Sequence, residues 1–100
     1  MTYTLSQAGT AYAEAAATWA RAMEAEEAVR QEGPDLKVDK FLHVTALSTV
    51  IRQAMNGLSQ AVMIFIWRNN EGNHAVLEAA MAETIRVTAD ANALMDSYGY

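Results

Sequence analysis

The sequence predicts an all-α fold, an antiparallel helical hairpin or three-helix bundle in a single domain spanning residues 1–100. Two observations carry this reading. Apolar residues recur at alternating spacings of three and four over three long stretches, and two short polar segments separate those stretches. Gly33-Pro34 contains the chain's one proline, and the segment Arg68 to Asn73 supplies asparagines and a glycine, residues that end helices in left-handed conformations. β-Branched residues cluster at Val44, Thr45, Thr49, Val50 and Ile51, but they follow a helical spacing rather than a strict alternation, which argues against strands.

The first stretch reads Leu5, Ala8, Tyr12, Ala15, Trp19, Ala22, passing across Glu26 to Val29. It predicts a helix near residues 4–32, with Thr4 and Gln7 in capping-box form at its start. Alanine at half of the first six seam positions allows two backbones to approach closely, so bulk must come from an opposing helix. The second stretch supplies it. Phe41, Val44, Ser48, Ile51, Met55, Leu58, Val62 and Phe65 keep one phase, and Leu47, Val50, Ala54, Ala61 and Ile64 widen the face, predicting a central helix over about 36–68. Asn56-Gly57 is a strong turn signal inside it, and glycine costs about 1 kcal/mol in a helix interior. The seam nevertheless holds its phase from Met55 through Leu58 to Val62, which favours a continuous helix. The third stretch, Leu77, Ala80, Thr84, Val87, Ala91, Leu94, predicts a helix over about 74–96 with Asn73 as its N-cap. Short connections make neighbouring helices antiparallel, and seams of this period pack at about +20° in the coiled-coil manner.

Composition narrows the function. One hundred residues, 52% of them apolar, can bury a core, but a marginal one, so association into a larger helical bundle is expected. Seven basic residues against twelve acidic ones leave a net charge of −5 with no basic stripe, which argues against nucleic-acid binding. There is no cysteine, hence no disulfide, thiolate nucleophile or cysteine metal site. The first twenty residues lack the basic and apolar regions of a cleaved signal peptide, which points to a cytoplasmic protein or one secreted by another route. The longest apolar run, Ala61 to Trp67, has seven residues where a membrane span needs about twenty, so no integral insertion is expected.

No spacing assembles a Ser-His-Asp set, a carboxylate pair or a glycine-rich phosphate loop, so the reading is of a non-enzyme without a cofactor. Glu71, His74 and Glu78 would share one helical face, and Glu-x-x-His occurs in di-iron bundles, but inward-facing carboxylates on the other helices are wanting. A metal-binding bundle with an oxidation or storage role is the alternative function on that basis. His43 follows Asp39 by four residues, the spacing of a local ion pair. Glu24, Glu26, Glu27 and Glu32 crowd the end of the first helix, where the dipole prefers cations, with Arg30 and Lys37 placed to ease them. Residues expected to meet a partner, either another copy or a similar helical protein, are Trp67, Phe65, Met63, Ile66, Val50, Leu42, Glu24 and Glu27. Trp67 is expected to fold over the end of the central helix and close the core beside the loop, the competing role being an exposed recognition residue.

An acidic, cysteine-free, alanine-rich helical chain of this length, with a tryptophan beside a helix-ending loop, resembles the ESAT-6-like small secreted proteins called WXG100. That resemblance implies helical hairpins pairing into four-helix dimers and export through type VII secretion machinery. Here Trp67 is followed by Arg68, Asn69, Asn70, Glu71 and Gly72 where the family has Trp-x-Gly, and the family's Tyr-x-x-x-Asp/Glu tail has no counterpart. The resemblance spans the whole chain in class-level features and carries over no functional residue. Needle and filament subunits of other secretion systems share the same features.

Overall fold

The computed structural model describes residues 2–100, with side chains from Leu5 onward. Three long helices form the molecule: α1, Thr2–Arg30; α2, Val38–Trp67; and α3, Glu71–Tyr98, with a 3-10 turn at Gly33–Asp35 and no strand among the described residues. Each helix packs on the other two, making an all-α three-helix bundle 54 Å long and only 17 by 15 Å across.

The breaks have local causes. α1 ends two residues before its expected limit because Gly33 takes the left-handed conformation at φ 60° and Pro34 cannot donate to a continuing ladder. Lys37 is extended and caps α2, whose first turn carries Asp39 at the positive end of the dipole. α2 runs unbroken through Asn56-Gly57. α3 begins three residues earlier than predicted, because Asn70 and not Asn73 is the N-cap: its Oδ1 accepts from the Asn73 backbone N–H at 2.8 Å. Asn73 instead turns its side-chain amide back to the Arg68 carbonyl at 2.8 Å, and Gly72 lies within the first helical turn. At the far end Gly99 at φ 81° closes α3, the Tyr100 N–H reaching the Met95 carbonyl at 2.9 Å. The expected Thr4 cap falls on a side chain outside the described residues, and α1 begins before it.

Two buried clusters lie along the axis. One joins the α1 start, the α2 end and the α3 start through Ala8, Ala11, Leu58, Ala61, Phe65, Leu77 and Met81. The other joins the opposite ends through Ala15, Ala22, Ala25, Val29, Val44, Ile51, Val87, Ala91 and Met95. α1 and α3 are therefore parallel, with α2 antiparallel to both. The buried line of α1 is Ala8, Ala11, Ala15, Thr18, Ala22, Ala25 and Val29, so the seam lies one position off the expectation at Tyr12 and Trp19. Tyr12 is exposed and Trp19 only partly buried, because the close approach that alanines permit leaves no room for aromatic rings between backbones. In α2 the predicted seam is buried at Val44, Ile51, Leu58 and Phe65, whereas Val50 and Ile64, expected to widen it, face outward. Between the clusters Thr84 is wholly buried and donates to the Ala80 carbonyl at 2.8 Å, satisfying a hydroxyl that would otherwise be costly.

Leu58→Ala removes a side chain that is 1% exposed at the centre of the narrower cluster. The variant is expected to lose about 2–5 kcal/mol of unfolding free energy, read as a lower midpoint in urea titration followed by circular dichroism.

Candidate functional site

Eleven large apolar side chains are exposed among the described residues, and seven of them belong to α2: Val38, Leu42, Val50, Met63, Ile64, Ile66 and Trp67. The cause is in the sequence of α2. Between Phe41 and Trp67 it contains one Lys, Arg, Asp or Glu, Arg52, so apolar residues stand on every side of the helix while the bundle covers one side. Leu42, Val50, Met63, Ile66 and Trp67 are thus the exposed apolar groups of the expected partner set.

Trp67 is 79% exposed, which overturns its expected place over the core. The core position at this end belongs to Phe65, 2% exposed, and two helical residues further on is about 200° around the axis. The space Trp67 was expected to cover is held from α3 by His74, whose ring lies 5.7 Å from that of Phe65. The Trp67 ring stands instead beneath the Arg68 guanidinium at 5.3 Å. Phe65, named for partner contact, is core.

Beside this exposed end, α1 and α2 leave an apolar groove of about 370 Å³, with Leu5, Tyr12, Leu58, Val62, Met63 and Ile66 in its walls and Gly9 in its floor. Gly9 has no atom within 4 Å of where a Cβ would stand, so the groove is open down to the α1 backbone. The missed signal in the sequence was the α1 glycine opposite an apolar stretch of α2.

The polar groups concentrate at the other end. Glu32 accepts from Lys40 Nζ at 2.6 Å and from the Tyr100 hydroxyl at 2.9 Å, and Lys40 lies over the Tyr100 ring at 4.8 Å. Lys40, not Lys37, is therefore the cation that meets Glu32. Hydrogen bonds from Lys40, then from Tyr100, hold the Glu32 carboxyl below its ordinary 4.5, and the Glu32 hydrogen bond raises Lys40 above its ordinary 10.5. His43 Nδ1 meets the Tyr98 hydroxyl at 2.8 Å rather than pairing with Asp39. Arg21 donates to Asn92 Oδ1 at 2.9 Å, to Asp96 and to the Tyr100 carbonyl, fastening α3 to α1. Of the acidic set, Glu26 is buried against Arg30, Glu27 lies 3.8 Å from the same Arg30, and Glu24 is exposed. The contacts of Glu32, His43 and Arg21 tie helix ends together, whereas Glu26 and Glu27 meet Arg30 within α1.

Glu71, His74 and Glu78 do share α3, and His74 Nε2 lies 3.6 Å from Glu78 Oε1. Among the described residues no three His, Asp or Glu side chains converge as a metal site, and no helix is long and apolar enough to cross a membrane. Compared with protein-family models, curated proteins and solved structures, the chain matches none.

Two outcomes check this geometry. Trp67→Ala should leave the melting temperature nearly unchanged, and in a Trp19→Phe background the Trp67 emission should be red-shifted and readily quenched by iodide. Glu32→Gln should lower the melting temperature at neutral pH. Because the folded Glu32 titrates below 4.5, its contribution is complete above that pH and fades as the pH falls through the lowered value, so the wild-type advantage should shrink in acid. Lys40 has the opposite sense: its contribution holds below 10.5 and is lost as the pH rises through its raised value.

Proposed function

We propose that this chain is a non-enzymatic helical interaction protein, a small secreted or secretion-associated subunit, chaperone or adaptor that pairs through α2 with itself or another helical protein. One observation carries the reading: seven of the eleven large apolar side chains exposed among the described residues stand on a single helix, contiguous with an apolar groove, whereas α1 and α3 have two each. Scattered apolar residues on a surface need no explanation, but a strip concentrated on one element marks a contact. The secretion-associated part of the proposal rests on the acidic, cysteine-free, all-helical character of the chain and its resemblance to small secreted helical proteins. Metal storage gains no comparable support from Glu71, His74 and Glu78, which lie along one helix without converging.

Light scattering and an apolar fluorescent dye test the proposal. The wild type should associate or bind the dye, and Met63→Glu with Trp67→Glu should abolish both with the circular dichroism spectrum and melting temperature retained. A compact monomer that binds no dye and holds no host protein through these residues overturns it.

A further inference from the structure

We infer that the outer face of α2 is occupied by the α2 of a second copy of this chain, lying antiparallel across a two-fold axis; the inference rests on the interaction reading above and names its partner. The face is a seam in its own right. Leu42, Ala46, Thr49, Gln53, Asn56, Gln60, Met63 and Trp67 recur at spacings of four and three, all are exposed, and they lie diametrically opposite the buried line Val44, Ile51, Leu58, Phe65. Apolar or small groups stand at both ends of this line, Leu42 and Ala46 at one and Met63 and Trp67 at the other, with uncharged polar groups between them.

Charge selects the occupant. None of the eight seam residues is charged, and Arg52 is the only Lys, Arg, Asp or Glu between Phe41 and Trp67. The outer surfaces of the other two helices carry Glu14, Glu24 and Glu27 on α1, the last 3.8 Å from Arg30, and Glu78, Glu83 and Asp90 on α3, the last two paired with Arg86. Two copies, each with a net charge of −5, repel wherever those surfaces meet. The uncharged seam is the approach along which a second copy meets least opposition, whereas a basic partner would find its complement on α1 or α3.

The seam is also complementary to itself in one direction. With the two-fold axis between Gln53 and Asn56, each Gln53 faces the other copy's Asn56 and each Thr49 its Gln60, pairs able to share side-chain hydrogen bonds. Outward from these, Ala46 faces Met63 and Leu42 faces Trp67, small against large at each end. A parallel pair would set Ala46 on Ala46 and Trp67 on Trp67, leaving a gap and a crowd. Beside the seam, antiparallel packing brings Val50 over Gly57 and places Arg52 against Ser59. Gly57 weakens the middle of a helix, yet a Cβ there would meet nothing within 4 Å in its own chain. The Val50 of a second copy is what its absence admits. From Leu42 to Trp67 the seam is about 38 Å long. With its flanking positions it offers about sixteen residues a side, below the 20–30 of a standard interface, so the dimer is expected to belong to the weak, exchanging class.

The absence of cysteine makes the orientation directly readable. Sedimentation equilibrium of the full chain from about 1 to about 500 µM should show monomer and dimer exchanging with concentration. Thr49→Glu with Gln53→Glu, both at exposed positions, should weaken the dimer at least tenfold while leaving helicity intact. Under mild oxidation Leu42→Cys mixed with Trp67→Cys should form a crossed disulfide, and neither variant alone should link to itself. Self-linking of Leu42→Cys overturns the antiparallel arrangement. A monomer at every concentration overturns the second copy as occupant. The interaction reading then survives only if Met63→Glu with Trp67→Glu releases a host protein that the wild type holds, and falls as well if no such protein is found.

Discussion

Alanine at Ala8, Ala11, Ala15, Ala22 and Ala25 lets the backbone of α1 settle closely between α2 and α3, and the placement of every larger core group follows from that approach. The volume is supplied from the other side by Ile51, Leu58 and Phe65 on α2 and by Leu77, Met81 and Met95 on α3. Packing small against large suits the dense interiors that proteins require, and it joins three helices of 28 to 30 residues along their length. The same economy makes the molecule a rod only 17 by 15 Å in section, with each helix showing about half of its circumference to the outside.

For α1 and α3 that exposure is harmless, because their outer positions are largely alanine, glutamate, aspartate and arginine, with Arg86 paired to both Glu83 and Asp90. For α2 it is not. Its outer face has no ion pairs to make and presents leucine, valine, isoleucine, methionine and tryptophan instead. The polar ties that define the bundle ends, Glu32 with Lys40 and Tyr100, and Arg21 with Asn92 and Asp96, lie where α1, α3 and the start of α2 meet. The apolar excess therefore sits at the opposite end, around Met63, Ile66 and Trp67, beside the groove that Gly9 opens.

Much of this was legible in the sequence, and the reason lies in period. The three helices, the continuous path through Asn56-Gly57 and the core line Val44, Ile51, Leu58, Phe65 follow from spacing alone, because burial repeats along a helix. What spacing could not fix was phase in α1, where alanines occur on nearly every face and Ala11 and Thr18 are buried where the neighbouring Tyr12 and Trp19 are not. Caps were misplaced for a similar reason: Asn70 and Asn73 are both competent, and only the backbone shows that one accepts an amide while the other reaches back to Arg68. Trp67 was misjudged by size. A large aromatic after an apolar run suggests core, but its angle two residues beyond Phe65 points it outward, and a histidine from another helix already occupied the place. Contacts across many residues, such as His43 with Tyr98 or Glu32 with Tyr100, have no local signature at all.

The two faces of α2 are mechanically linked. A straight helix drifts by about 20° per heptad against a 3.5-residue repeat, so over the 21 residues from Val44 to Phe65 an untwisted α2 would carry its core line about 60° out of register. All four core residues of that line are nevertheless buried, because α1 and α3 both pack on α2 and together cover a broad face of it. The outer residues from Leu42 to Trp67 lie on the opposite side of the same helix, and so the packing of α1 and α3 against one face of α2 also fixes where the other points. Interior packing and surface presentation are then one structural event: what loosens the alanine seam of α1 disperses the outer line of α2, although none of its residues touches α1's core.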